Sequence, residues 1–240
     1  MHFSRPSLRK FFNLLGYLYI ALLLFPQTVF SNKTTHKNIT VYYHNASVLD
    51  KDIKKGLDKA VKLLEKSTLY NNNVSQKIFL CICPLEYTLF SGLNFSSKAI
   101  NHPFTNNIFI SKSSLAQNIV LKKRNHQFHR ALSSVIAHEI KHSFVDRSLG
   151  IITSRFKMPT WKTEGYSEYV AQESSVEDKK AWHIICEREE EKPTIELQYF
   201  LFRKLTQEVL NNSKDHLSDW FIQTINKDSL RLIVQKKHCN

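Results

Sequence analysis

Residues 129–150 read His-Arg-Ala-Leu-Ser-Ser-Val-Ile-Ala-His-Glu-Ile-Lys-His-Ser-Phe-Val-Asp-Arg-Ser-Leu-Gly, and this stretch decides the fold. Its apolar residues recur at helical spacing, which predicts a long amphipathic helix from Phe128 to Leu149. Gly150 is a typical residue just beyond a helix end. Within this helix, His138 and His142 share one face and lie about 6 Å apart. Two imidazoles at that spacing can hold a single metal ion.

Glu139 follows the first of these histidines and points beside the position of the metal. A zinc ion held in this way lowers the pKa of its bound water toward neutrality. Glu139 could take a proton from that water and pass it to a leaving group. We therefore predict one Zn²⁺ per chain and a catalytic role for Glu139. Lys141, between the two histidines, is expected to face solvent or a carboxylate.

A catalytic zinc ion needs a third protein ligand and keeps one position open for water. Residues 159–171, Pro-Thr-Trp-Lys-Thr-Glu-Gly-Tyr-Ser-Glu-Tyr-Val-Ala, supply candidates on a helix predicted from about Thr163 to Ser174. Glu164 is the best candidate for the third ligand. Glu168 lies one turn later on the same face, where it could accept the outer N–H of a ligating histidine. Ligation by Glu168 in place of Glu164 is the alternative.

The order HExxH, then about twenty residues, then Trp-x-x-Glu-Gly-x-x-Glu-Tyr resembles the gluzincin metallopeptidases, the thermolysin and aminopeptidase N branch of the zincins. It is most similar to small peptidase-MA-like domains, whose pattern is Pro-x-Trp-x-x-Glu-Gly-x-Ala-Glu-Tyr. Ser167 stands where alanine is usual, and the resemblance covers only residues 129–172. It implies a zincin-like fold with zinc ligands and a general base in the positions just described: His138, His142, Glu164 and Glu139.

The metzincins, another zincin class, are excluded because their motif continues HExxHxxGxxH. Val145 and Ser148 stand at the corresponding glycine and histidine positions. By resemblance, the strand-like run Asn107–Ser111 could be the sheet edge that pairs with an extended peptide substrate. A transition-state oxyanion also needs a hydrogen-bond donor besides zinc. Four side chains are candidates, and the sequence assigns the role to none of them: Tyr166, Tyr169, His183 and Tyr199.

Strands come early in the rest of the chain and helices late. The predicted early elements are strands at Ile39–Tyr43, Lys77–Cys83, Ser97–Asn101 and Asn107–Ser111, with helices at Val48–Lys66 and from Pro84 to before Gly92. From Leu115 onward the pattern is helical, with further helices predicted at Val176–Glu190, Ile195–Leu210 and Leu217–Gln235. This order predicts an α+β domain over residues 32–240, in which a small mixed sheet precedes a helical half.

Residues 1–31 have the layout of a secretory signal. Arg5, Arg9 and Lys10 precede the apolar stretch Phe11–Phe25, and Val29-Phe30-Ser31 offers small residues for cleavage. We therefore expect an exported protein, whether secreted, periplasmic or lumenal. The alternative is an uncleaved anchor formed by residues 11–30, which would associate the domain with a membrane.

The chain of 240 residues has a formal net charge of +13 and only 5 glycines. Scarce glycine argues against Gly-rich nucleotide-binding loops. The lysines are scattered without any nucleic-acid-binding signature, which favours a solvated basic surface and no nucleic-acid partner. The four cysteines suggest two disulfides in an oxidising compartment, and buried free thiols are the alternative. Cys81 and Cys83 would point to one sheet face, so each is expected to pair with Cys186 or Cys239.

The leading hypothesis is therefore an exported zinc metallopeptidase, a hydrolase acting on a peptide or protein substrate. The alternative is a non-catalytic zincin-like domain that binds or scaffolds at a membrane or cell surface. Structural zinc sites are usually closed by four protein ligands and need no neighbouring base. The presence of Glu139 beside the two histidines therefore favours the enzyme.

Overall fold

The structure is a computed structural model that describes residues 5–44, 49–92, 97–121, 129–187, 193–212, 220–221 and 223–239. Over these residues the fold is α+β, with an early sheet and a helical C-terminal half, as the sequence predicts.

The main sheet of the described residues has five strands: β1 Asn32–His36, β2 Ile39–Tyr43, β3 Gln76–Leu80, β4 Ala99–Asn101 and β5 Asn107–Ile110. Their order is β1-β2-β3-β5-β4. The central pairs are parallel, and the two outermost pairs are antiparallel. A short ribbon follows, formed by β6 Ser113–Ser114 and β7 Ile119–Val120; β7 lies where the sequence predicts helix.

The position of the sheet edge differs from the prediction. The run Asn107–Ser111 contains β5, which lies between β3 and β4 and is therefore internal. Among the described residues, β4 pairs only with β5, so the outer side of Ala99–Asn101 is the edge. The prediction named the wrong strand of this hairpin because period-two patterning does not tell an edge strand from its neighbour.

The helices are α1 Arg5–Leu24, α2 Asp50–Leu64, α3 Pro84–Phe90, α4 Leu132–Leu149, α5 Thr160–Ala171, α6 Asp178–Glu187, α7 Ile195–Asn212 and α8 Lys227–His238. A π-helical turn at Thr153–Lys157 joins α4 to α5. Predicted helix 217–235 is not continuous: residues 220–221 are helical, and α8 begins after Asn226, whose side chain accepts from the Asp228 and Ser229 amides. Other residues predicted to be helical lie outside the described residues: Val48, Phe128, 188–190, 217–219 and Ile222.

The two faces of the sheet bury different side chains because successive residues of a strand point to opposite sides. Ile78 and Leu80 of β3 are buried with the apolar residues of α2 and α4. Phe79 and the following Cys81 are buried on the opposite face, in an aromatic cluster with Phe90. The helical half therefore covers one face of the sheet, and aromatic rings cover the other.

The helix α4 is not amphipathic, because both of its sides are covered. It packs against α2 and β4 as well as against α5, and every residue from Leu132 to Asp146 is buried. Lys141 accordingly does not face solvent or a carboxylate, and this prediction is wrong. Its side chain is fully buried, with Nζ 4.4 Å from the centre of the Tyr166 ring, and burial lowers the pKa of Lys141 well below its usual range.

The cysteine pairing also differs from the prediction. Cys186 on α6 is bonded to Cys239, which directly follows α8. Cys81 and Cys83 are free thiols, so neither pairs with Cys186 or Cys239. The predicted pairing fails because Cys81 is buried on the aromatic face of the sheet, whereas α6 packs against α7 and α8 in the helical half.

The N-terminal segment packs onto the domain. The Tyr19 hydroxyl donates to the Leu89 carbonyl at 2.8 Å. Phe30 is 7% exposed, and its ring lies 4.6 Å from that of His44 and 5.2 Å from that of Phe79. Within the described residues, no helix combines the length and the apolar character needed to cross a bilayer.

Candidate metal centre

The two histidines of α4 come together as their helical spacing predicts. Both are buried, and the distance between His138 Nε2 and His142 Nε2 is 3.2 Å. Residues four apart on a helix are neighbours on its surface, which explains this approach. Two ring nitrogens so close together need a cation or a proton between them, because their lone pairs otherwise repel.

Glu164 of α5 completes a triangle of possible metal ligands. Its Oε2 lies 3.2 Å from His138 Nε2 and 3.5 Å from His142 Nε2. A tetrahedral ion with bonds of about 2.0–2.2 Å needs ligand atoms roughly 3.3–3.6 Å apart. The triangle has nearly these dimensions, so His138, His142 and Glu164 could hold a metal ion through two nitrogens and one oxygen.

Glu168 stands behind His138. Its Oε1 is 3.0 Å from His138 Nδ1, on the side of the ring opposite Nε2. A proton on Nδ1 facing this carboxylate leaves the lone pair of Nε2 free to bind a metal. The structure thus places Glu164 in the ligand triangle and Glu168 at the outer nitrogen.

Arg130, which precedes α4, was not identified from the sequence. Its Nη1 donates to Glu168 Oε1 at 2.7 Å, and both side chains are buried. Its Nη2 donates to the Glu173 carbonyl at 3.2 Å, just beyond the end of α5. Arg130 therefore holds the carboxylate that lies beside His138 Nδ1. The only signal in the sequence was an arginine just before α4, and the sequence did not indicate which carboxylate it would pair with.

The electrostatics of the cluster suit a cation. Burial raises the pKa of Glu164, but His142 and His138 outweigh burial and bring it well below its usual range. Burial likewise raises the pKa of Glu168, and Arg130 and His138 lower it to about 2. Burial lowers the pKa of His138, but Glu164 and Glu168 raise it to about 10. Both carboxylates are thus ionised at neutral pH, and a bound metal would take the place of the His138 proton.

Glu139 lies outside the ligand triangle and lines the cavity in front of it. The cavity has a volume of about 510 Å³ and is also lined by the three possible ligands, by Tyr199 and by the edge strand β4. Asn101 of β4 donates from Nδ2 to the Glu139 carbonyl at 3.0 Å and to Ser143 Oγ at 2.6 Å. This amide ties the edge strand to the turn of α4 that carries Glu139.

Of the four candidate oxyanion donors, Tyr199 of α7 alone is among the residues that line this cavity. Burial and the nearby carboxylates of the centre, Glu164 first among them, raise the pKa of Tyr199 above its usual range. Its hydroxyl therefore keeps its proton and can act as a hydrogen-bond donor at neutral pH. Tyr166 instead shares a hydrogen bond of 2.8 Å with Ser67.

The remaining two candidates lie elsewhere. Tyr169 packs at the edge of the main hydrophobic core. The His183 side chain is 67% exposed and pairs with Glu187 on the same helix. Neither lines the cavity of the metal centre.

Gly165, next to Glu164, lets α5 and α7 approach closely. A β-carbon added at this position would lie 2.6 Å from the Phe202 carbonyl oxygen and still closer to Thr206 Oγ1. The two helices carry Glu164 and Tyr199, so their separation sets how far apart these two residues lie in the wall of the cavity. The glycine of the Glu-Gly pair is therefore explained by helix packing.

We expect Gly165→Ala to destabilise the protein by about 1–3 kcal/mol, because overpacking forces the two helices apart. Urea denaturation measures this loss. Gly56→Ala is the matched control, since a β-carbon there would come no closer than 4.0 Å to Asn118 Oδ1. Equal stabilities of the two variants would contradict the role given to Gly165.

No protein-family model matches this chain, and no curated protein matches it either. A functional assignment therefore depends on the residues and distances of the metal centre itself.

Proposed function

We propose that this protein is an exported, zincin-like zinc metallopeptidase that hydrolyses peptide bonds with Glu139 as the general base. The observation that carries the proposal is the triangle of His138 Nε2, His142 Nε2 and Glu164 Oε2, with sides of 3.2, 3.2 and 3.5 Å. Glu139 lines the cavity in front of that triangle without belonging to it.

The donor set supports zinc. Two imidazole nitrogens and one carboxylate oxygen are the protein ligands of one common class of catalytic zinc site. Zinc in such a site acts as a Lewis acid and makes water a nucleophile at neutral pH. Among the described residues, the cluster has no fourth His, Cys or carboxylate side chain. That composition suits an open catalytic site better than a closed structural one.

The residues around the triangle each have a different role in the proposed hydrolysis: proton transfer, stabilisation of negative charge, or orientation of His138. Glu139 takes a proton as the water oxygen attacks the scissile carbonyl carbon, and delivers it to the amine nitrogen as the C–N bond breaks. Tyr199 donates a hydrogen bond from its hydroxyl group to the oxygen that becomes negative in the transition state. Glu168 and Arg130 hold the His138 ring in orientation.

The position of the edge strand β4 supports the proposal that the substrate is a peptide. Ala99–Asn101 line the cavity, and β5 is the only strand paired with β4 in the described part of the chain. An extended peptide can therefore pair with the other side through main-chain hydrogen bonds. Pairing of this kind would lay the peptide across the cavity that contains Glu139.

The export part of the proposal depends on residues 1–31, whose basic start and apolar stretch match a secretory signal. The Cys186–Cys239 disulfide is consistent with an oxidising compartment. If the signal stays attached, the same segment would associate the enzyme with a membrane.

Metal removal tests the proposal directly. We expect purified protein to contain one zinc per chain by mass spectrometry and to cleave members of a fluorogenic peptide library. A chelator should abolish cleavage because the nucleophile is lost, and added Zn²⁺ should restore it. A protein that takes up no zinc, or whose cleavage is unaffected by the chelator, would rule out this function.

A further inference from the structure

A second cavity adjoins the metal centre. It has a volume of about 170 Å³ and shares three residues with the larger cavity: His142, Glu164 and Arg155. Val145 and Met158 contribute apolar surface to it. Arg155 and two possible metal ligands therefore lie between the two cavities. The parts of a substrate on the two sides of the scissile bond would occupy one cavity each.

Asp146 holds Arg155 in a fixed orientation. It lies one helical turn beyond His142 on α4 and is buried. Arg155 Nε donates to both Asp146 carboxylate oxygens at 3.0 Å, and Nη2 donates to Oδ2 at 2.8 Å. The Ser154 hydroxyl also donates to Asp146 Oδ1. Because two guanidinium nitrogens are held at one carboxylate, the planar group cannot turn freely.

The remaining edge of this guanidinium has unused hydrogen-bonding capacity. Within the described ranges of the chain, Nη1 of Arg155 has no hydrogen-bond partner, and the side chain is 26% exposed. Nη2 reaches Asn101 Oδ1 only at 3.4 Å. The free N–H groups are therefore available to a molecule in either cavity, and a guanidinium fork matches a carboxylate in shape and charge.

The smaller cavity has no unpaired carboxylate, among the described residues, that would compete with a bound carboxylate for Arg155. Its two carboxylates are Asp146, already paired with Arg155, and Glu164, which belongs to the metal cluster. Its other lining residues are apolar or bear hydroxyl groups, apart from His142. No acid in its lining is thus left to repel an incoming anion.

We propose that Arg155 binds a carboxylate of the peptide substrate beside the scissile bond. This inference rests on the proposed peptidase function and names the substrates that the enzyme prefers. The carboxylate belongs either to the C-terminus of the peptide or to an acidic side chain near the cleaved bond. Arg155 is then a specificity-determining residue, and it takes no part in the bond-breaking step.

Three versions of one cleavable peptide distinguish the two sources of the carboxylate. They are the free C-terminal acid, the C-terminal amide, and an amide with glutamate beside the scissile bond. We expect the wild-type enzyme to prefer one or both carboxylate peptides over the plain amide. Loss of the guanidinium should lower kcat/KM for the preferred peptide by about 10- to 100-fold, mainly through KM. The plain amide should change little.

The variants must keep the fold intact, because removing Arg155 alone leaves Asp146 buried and unpaired. Arg155→Lys keeps the positive charge but loses the fork. The double variant Asp146→Asn with Arg155→Gln replaces the ion pair by two neutral amides of similar size. Arg147→Gln is the matched control, since Arg147 is exposed and lines neither cavity. Thermal denaturation identifies any variant that has lost its fold.

Binding gives a readout that does not require cleavage. N-acetyl-alanyl-alanine and its amide are titrated calorimetrically into zinc-loaded Glu139→Gln protein, with and without the double variant. We expect tighter binding of the acid than of the amide, and loss of this difference in the double variant. If the protein cleaves no peptide but still binds the acid through Arg155, the peptidase function fails and the carboxylate site stands.

The opposite result is equally clear. If the wild-type protein cleaves the free acid, the plain amide and the glutamate-containing amide alike, Arg155 does not select a carboxylate. If the Arg155 variants weaken every peptide equally, Arg155 only holds Asp146 and the turn after α4. Either result overturns the carboxylate site, while cleavage of the plain amide would leave the peptidase function in place.

Discussion

Replacement of Glu139 by glutamine is expected to lower kcat/KM for peptide hydrolysis by about 10²- to 10⁴-fold while zinc stays bound. Glutamine has the shape of glutamate but cannot take a proton from the attacking water. Zinc should remain because Glu139 lies outside the cluster formed by His138, His142 and Glu164. Fluorogenic peptide assays measure the activity, and mass spectrometry measures the metal.

The matched control for this substitution is Glu65→Gln, an exposed glutamate directly after α2. It should leave both activity and zinc content unchanged. Full activity of the Glu139→Gln protein would remove the general base from the mechanism. Loss of both zinc and activity would instead show that Glu139 helps to hold the ion, contrary to the geometry of the triangle.

Glutamine substitutions at Glu164 and Glu168 are expected to differ in their main effect: the first should lower zinc affinity, and the second should lower folding stability. Glu164→Gln removes a charged ligand, so zinc affinity should fall by more than the 10- to 100-fold typical of losing a partner behind a ligand. Glu168→Gln leaves the buried Arg130 guanidinium without its carboxylate. Breaking a buried pair costs about 3–5 kcal/mol, so Glu168→Gln should lower the free energy of unfolding more than Glu164→Gln does. Its zinc affinity should fall less than that of Glu164→Gln.

Two measurements separate the two glutamates. Chelator competition gives the zinc affinity of each variant, and urea denaturation of the metal-free proteins gives their free energies of unfolding. The assignment requires Glu164→Gln to be the weaker zinc binder and Glu168→Gln to be the less stable protein. The reverse pattern would make Glu168 the third ligand, which is the alternative that the sequence leaves open.

The site residues named from the sequence share one property: each belongs to a helix, where spacing alone determines which side chains are neighbours. His138 and His142 are a turn apart on α4, and Glu164 and Glu168 are a turn apart on α5. Contacts between distant segments could not be predicted in this way. Arg130 meets Glu168 only through tertiary packing, and patterning gives no information about such an approach.

The failed prediction for Lys141 has a related cause. A charged residue inside a helix is normally solvated, and the small polar residues of α4 also suggest a solvent-facing side. In the structure these polar groups are satisfied by other segments: Ser134 donates to the Ala171 carbonyl at 2.7 Å, and Ser143 accepts from Asn101. A helix covered on both sides carries no periodicity that reveals its burial.

The strand predictions depended on apolar runs in the same way. The strand β2 and the hairpin of β4 and β5 contain β-branched or aromatic residues and were identified. The strand β1 reads Asn-Lys-Thr-Thr-His and was not, because an outer strand with little buried surface lacks that signal. Its pairing with β2 comes from the tight connection between them.

If residues 1–31 are a cleaved signal, as we propose, the burial of Phe30 links the timing of that cleavage to the folding of the domain. Phe30 is the second residue before the predicted cleavage point, which follows Ser31, and its ring packs against those of Phe79 and Phe90. A signal removed before folding would leave these rings open to water, whereas one removed afterwards must first be pulled out of the aromatic cluster. While this segment remains attached, Leu22, Leu23 and Phe30 cover the face of the sheet opposite the helical half and keep its aromatic rings from water.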